Sequence, residues 1–403
     1  MKKLRLPFGV QDYMPQECYN INRTQEQLAS VFVKHGFRRV SMPAIEFYDV
    51  YDDILSRAAV NKTFKMTDSD GSLLMLRFDP TLQICRMAAT KLSAERADKV
   101  YYIENSYEYI SDPSTARSRE FLQAGVELLG SSGVAGDIEA VAMAVECLSA
   151  TGLQDFLVEI GQVEYFNGIA GEAGLSDADA NALRAFLNRK DMLGAEMFLR
   201  EKKVRDTFAA QFLLLPTLFG DAEVLARARA GVANERSLRA LDNLQQILSA
   251  LKAMGWENRV TVDLGLLRGE YYTGTVLKGI SGNLGMPLLD GGRYDALCAS
   301  FGHAMPAVGF SVGIKRLLMA LENEDKLVRD PAADYAYIAD GKDVAFEYAY
   351  VNRLRADGQT VEKRFDATES ELFAYCKARG IAKALVIEGG AARAATEEKT
   401  CNS

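Results

Sequence analysis

Residues 118–130, SREFLQAGVELLG, decide the reading of this chain. The segment has β-branched and long apolar residues in a short run closed by Gly130, which predicts a strand. Its polar members are informative because Gln123 and Glu127 lie four residues apart. Successive side chains on a strand point to opposite faces, so the two share a face provided Gly125 is not a bulge. An amide and a carboxylate on one face of a sheet could receive an ammonium and an imidazole N–H, whereas the plainer alternative is a solvated strand face.

Working outward, 73–78 (LLMLRF) and 99–110 (KVYYIENSYEYI) read as further strands, and 37–47 (FRRVSMPAIEF) as another after a helix over 19–34. In LRFDPTLQICR, Asp79 adds an acid before Pro80. From about 165 to 254 strand signals vanish, and Leu238, Leu241, Leu244, Leu248 and Leu251 form one apolar helix face. That face favours a packed helical insertion over a coiled-coil seam. Strand patterns return at Val260 and lead into a helix over 314–324. A small α/β unit follows, and the last residues, from Ala391 on, read as a frayed tail. The domains expected are 1–164, 165–254, 255–328 and 329–403, in an α+β fold.

Composition excludes several functions. The 403 residues suggest roughly two to three domains. Hydrophobic residues make up 48% and charged residues 25%, a globular balance with material for sizeable cores. The net charge of −8 repels polyanions, so nucleic acid is not the expected partner. Cys18, Cys85, Cys147, Cys298, Cys376 and Cys401 include no C-x-x-C pair and read as reduced thiols of a cytoplasmic protein. No targeting segment or membrane span is expected, because the longest apolar run, 212–219, contains Pro216 and is far too short. With only His35 and His303 available, neither a metal site nor any other cofactor is expected.

Two glycine-rich stretches remain. Gly309-Phe310-Ser311-Val312-Gly313 matches the G-x-S-x-G of serine hydrolases, but both histidines precede the serine, so a close-packed strand-to-helix junction is the better reading. In 267–276 (LRGEYYTGTV) and 289–302 (LDGGRYDALCASFG), glycines stand beside Arg268, Tyr271, Tyr272 and Arg293. Arginine clamps carboxylates and tyrosines wall an aromatic ring, while half-buried packing tyrosines are the alternative.

In this order the strings resemble the histidyl-tRNA synthetase family of class II synthetase folds, from Pro7 to about Leu318. PFGVQDYMP is similar to its opening motif, GFRRVSMPAIE to the dimer-interface motif 1, LRFDPT to its LRPEGT, REFLQAGVELLG to motif 2, YYTGTV and GGRYDAL to its histidine-pocket motifs, and GFSVGIKRL to motif 3. The resemblance implies an antiparallel-sheet core with a helical insertion and a shortened anticodon-binding domain at the C-terminus. It also implies a histidine site of Asp79, Thr81, Gln123, Glu127, Arg268, Tyr271 and Tyr272. Motif 2 of the family carries an F-R-x-E arginine on ATP and the amino acid; here Glu108 or Tyr109 takes that position. Arg117, Arg119 and Arg316 are the remaining cations for an anion.

A branch of the family fits these departures: regulatory subunits of ATP phosphoribosyltransferase, which do not charge tRNA. The stretches 152–169 and 187–191 resemble its segment after motif 2. Membership would imply a homodimer assembled with a short-form catalytic subunit, a role in histidine biosynthesis, and L-histidine as ligand. The alternatives are a divergent histidyl-tRNA synthetase or other amino-acid-activating ligase, and a scaffold with an empty pocket.

Overall fold

A computed structural model describes residues 4–55, 57–92, 98–110, 118–267 and 271–395. Arg117 and Arg268, expected near an anion and a carboxylate, lie outside them. The chain divides into two compact units at Val328 and Arg329.

The strands of the first unit are β1 (Arg38–Arg39), β2 (Ile45–Phe47), β3 (Lys65–Thr67), β4 (Leu73–Leu76), β5 (Lys99–Tyr107), β6 (Glu120–Leu129), β7 (Leu157–Gln162), β8 (Phe219–Gly220), β9 (Val260–Asp263), β10 (Thr275–Ser281), β11 (Leu284–Arg293) and β12 (Ala307–Gly313). Nine form one sheet in the order β1-β5-β6-β12-β11-β10-β7-β9-β8, antiparallel throughout its centre and parallel only at β1/β5 and β7/β9. β2, β4 and β3 make a separate small antiparallel sheet. The stretch 37–47 is therefore two strands in two sheets, interrupted at Pro43, which cannot donate to a ladder.

The two-residue period sorts the side chains of β5 and β6. Tyr101, Ile103, Ala124, Val126 and Leu128 join the core beneath the helix Val134–Ala150, while Val100, Tyr102 and Leu129 join a second core with Tyr294, Cys85 and Cys298. One face of the sheet is thus sealed by helices and the other left to shape a site. The insertion, helical from Val163 to Ala253, shares the first core: Phe166, Leu183, Phe212, Leu241, Leu244 and Leu251 are fully buried or nearly so. It is packed, not a coiled-coil seam. Strand character does not vanish from it, because Phe219–Gly220 pairs antiparallel with β9. Gly220 extends that edge at φ 138°, a value that glycine tolerates.

The first helix starts at Pro15, four residues earlier than its apolar spacing suggests. Proline suits the first helical turn, and the Glu17 carboxylate accepts a hydrogen bond from the Met14 N–H at 2.9 Å, closing the end.

The second unit has β13 (Tyr335–Ala339), β14 (Val361–Lys363), β15 (Lys383–Glu388) and β16 (Ala391–Ala394) in the order β14-β13-β15-β16, with helices Val344–Ala356 and Glu369–Arg379. β13 pairs parallel with both β14 and β15. The expected fraying from Ala391 is corrected at its start, where Ala391–Ala394 pairs antiparallel with β15. Gly389 and Gly390 both have positive φ, 56° and 73°, the backbone of a tight primed hairpin turn.

Candidate functional site

β6 carries no bulge: from Gln123 to Leu129 it runs in unbroken register with β12, Gln123 opposite Gly313 and Glu127 opposite Gly309. Gln123 and Glu127 consequently project from one face into one cavity of about 230 Å³. Asp79, Thr81, Tyr271 and Tyr272 line the same cavity, joined by Lys62, Tyr102, Glu108, Asp290 and Tyr294. Six sequence-selected residues from three separate segments therefore meet.

Five of the six are held in place by specific contacts. Asp79 caps the helix Pro80–Met87 by accepting from the Thr81 N–H at 2.9 Å, and the Tyr271 hydroxyl donates to it at 3.3 Å. Thr81 Oγ1 donates to Glu127 Oε1 at 2.8 Å, and the Tyr294 hydroxyl donates to Oε2 at 2.5 Å. The rings of Tyr271 and Tyr272 lie 4.7 Å apart, with Tyr294 edge-on to Tyr271 at 6.1 Å.

Glycine makes the room. A Cβ on Gly309 would sit 1.8 Å from Glu127 Oε2, and one on Gly125 would sit 2.4 Å from the Tyr102 ring. Neither needs positive φ; the requirement is close approach across the sheet.

Electrostatically the site is acidic. Asp79, Glu108, Glu127 and Asp290 face the cavity, and Lys62 is the cation among its described lining residues. Lys62 Nζ lies 2.9 Å from Glu108 Oε1. Glu127 is 1% exposed, and burial pushes its carboxyl up to about 8 against the hydrogen bonds from Tyr294 and Thr81, which favour the charged form. Burial raises Asp79 as well. Such a pocket suits a cationic head group, whose charge would offset that of two desolvated acids, with an aromatic ring beside the tyrosines.

Other expected residues fall elsewhere. Arg119 does not line the cavity: its Nη2 donates to the Ile110 carbonyl at 2.5 Å, and its guanidinium lies 5.1–5.7 Å from the rings of Phe8, Tyr109 and Phe64. Aromatic faces and one carbonyl hold this planar cation outside the cavity, while its buried Nε has no hydrogen-bond partner among the described residues. Arg316 lines an adjoining cavity of about 110 Å³ that shares Phe121, Gln123, Asp290 and Ser311 with the first. It donates to the Pro287 carbonyl at 3.0 Å. Arg293 is a buried strut, bound to Asp137 at 2.8 Å and to the Ser131 carbonyl at 2.5 Å, so it is no carboxylate clamp. Of the two residues competing for one motif position, Glu108 faces the cavity, whereas the Tyr109 ring packs edge-on against Phe64.

Sequence reasoning missed Lys62, Tyr102 and Tyr294. Tyr102 was within reach, since it pairs with Gly125 across a two-strand ladder. Tyr294 stands in the GGRYDAL string already noted. Nothing local marks Lys62.

Comparison with known proteins places this arrangement among class II synthetase folds: residues 9–317 match the family model described as histidyl-tRNA synthetase. A solved structure of an ATP phosphoribosyltransferase regulatory subunit/histidyl-tRNA synthetase from Bacillus halodurans is similar with a TM-score of 0.84 at 27% identity, covering 96% of this chain and 99% of that one. Histidyl-tRNA synthetase from Nostoc shares the fold with a TM-score of 0.79 at 19% identity, over 96% of this chain and 92% of that one. The ATP phosphoribosyltransferase regulatory subunit of Acetivibrio thermocellus is 38% identical over 89% of this chain and 86% of its own length. That of Thermoanaerobacter pseudethanolicus is 34% identical over 89% and 93%. The chain belongs to the histidyl-tRNA synthetase-like family, in its branch of ATP phosphoribosyltransferase regulatory subunits. Among the described residues no helix is long and apolar enough to cross a membrane.

Proposed function

We propose that this chain is a non-catalytic cytoplasmic subunit that assembles, as a homodimer within a hetero-oligomer, with a short-form ATP phosphoribosyltransferase catalytic chain, and that its pocket holds free L-histidine as a feedback signal. Asp79 and Glu127 accept from the ligand's ammonium and imidazole N–H groups, Gln123 adds an amide, and Tyr271 and Tyr272 flank the ring. A pocket that binds histidine more tightly in one state of the complex than in another biases the complex toward that state.

The observation that carries the non-catalytic reading is Glu108, an acid in the lining where the resemblance expects a guanidinium. Adenylation builds negative charge, and losing one oriented donor costs about 2.7–4 kcal/mol of transition-state stabilisation. Asp79 and Asp290 in the same lining add acidic groups that disfavour a triphosphate.

Three measurements test the reading. Histidine-dependent ATP–pyrophosphate exchange is expected to be absent, and robust exchange would favour a divergent synthetase, for which Arg316 beside the adjoining cavity is the cation at hand. Mixing with a short catalytic chain is expected to restore its turnover. Calorimetric titration is expected to show histidine binding; no heat at millimolar ligand removes the sensor role and leaves a scaffold.

A further inference from the structure

Beneath the pocket floor Cys85 and Cys298 face each other. Both are fully buried, they come from segments 213 residues apart, and their Sγ atoms lie 2.9 Å apart. A single buried cysteine packs as a small hydrophobe and is inert. Two whose sulphurs already touch are a different case, because the gap exceeds the length of a disulfide bond, roughly 2.04 Å, by less than an ångström.

We propose that Cys85 and Cys298 are a redox-active dithiol that closes to a reversible intramolecular disulfide. A hydroperoxide transfers one oxygen to the thiolate of one of the pair, oxidising that sulphur to a sulphenic acid and releasing the remaining oxygen as water or an alcohol. The other cysteine then attacks that sulphur, the S–O bond breaks as S–S forms, and a water molecule leaves. With hydrogen peroxide, two thiols and one peroxide give one disulfide and two waters.

The position gives the bond a consequence. Cys85 lies one helical turn after Thr81, and Cys298 four residues after Tyr294, the two residues whose hydroxyls hold Glu127. Closing the bond ties together the supports of the buried carboxylate, Thr81 and Tyr294, which also line the pocket.

The test uses the whole reduced chain, free of added reductant, exposed to graded hydrogen peroxide. Remaining thiols are then capped with N-ethylmaleimide and the chain digested without reduction for mass analysis. The expected product is a linked pair of peptides containing Cys85 and Cys298, lighter than their sum by two hydrogens and abolished by dithiothreitol. Cys18, which is exposed, serves as the internal measure of oxidant dose. Recovery of Cys85 and Cys298 as separately capped thiols, or as sulphinic acids, once Cys18 is fully oxidised would overturn the proposal. Reading the unmodified chain avoids dependence on the folding of variants; Cys85→Ala and Cys298→Ala, where they fold, each lose the linked pair. The mass readout does not depend on what the pocket binds.

Discussion

Glu127→Gln keeps the shape of the pocket floor and removes a strongly perturbed proton. In the wild type the carboxyl titrates near 8 when folded against an ordinary value of 4.5, because burial disfavours its charge. The folded state therefore holds that proton more tightly than the unfolded one, and stability from this group is fully present below about 4.5 and lost as pH rises through about 8. At about 1.4 kcal/mol per pH unit the full loss is about 5 kcal/mol by pH 9. Glutamine has no such loss. At pH 5 both side chains are neutral, and the variant differs only in how an amide meets the hydroxyls of Thr81 and Tyr294, about 0.5–1.5 kcal/mol. Urea unfolding of both proteins at pH 5 and pH 9 measures the effect, with other titrating groups cancelling between them. Because the unfolded carboxyl is already mostly ionised at pH 5, the variant is expected to gain about 4 kcal/mol relative to wild type over that interval. An unfolding difference that is the same at both pH values would refute the assignment of a proton to buried Glu127.

Three further outcomes follow from the geometry. Gly309→Ala puts a Cβ 1.8 Å from the Glu127 carboxylate and 2.3 Å from the Val126 carbonyl, so the central sheet must shift; a loss of at least ~1–3 kcal/mol or insoluble expression is expected in a denaturation assay. Arg293→Ala strands Asp137, which is 2% exposed, and should cost about 3–5 kcal/mol in the same assay. Gln123→Ala removes one polar contact from the cavity wall, and calorimetry is expected to report roughly tenfold weaker histidine binding, about 1.4 kcal/mol, with the melting temperature nearly unchanged.

Local rules made much of this molecule legible. The shared face of Gln123 and Glu127 follows from the two-residue period of a strand, and the packed face of the insertion from the three- and four-residue spacing of its leucines, because both are properties of backbone repeat. The resemblance in motif order brought in Thr81 and joined Asp79, Tyr271 and Tyr272 to the same site. Boundaries were less legible: Ala391–Ala394 pairs in a hairpin and Phe219–Gly220 in an edge strand because partner strands compensate for weak local preference.

Charge and contact partners were decided only in three dimensions. Arg119, Arg293 and Arg316 are equal cations in a sequence, yet one lies among aromatic rings, one braces Asp137, and one borders the smaller cavity. Lys62 entered the site across a fold that no local pattern encodes. The sequence by itself determined which residue types alternate along each strand and helix, since that depends on the few bonds around each backbone unit. The tertiary structure decided which side chains lose their water and which partner each one finds, and with that the acidity of Glu127, because solvation and charge pairing depend on neighbours that the chain brings from far along its length.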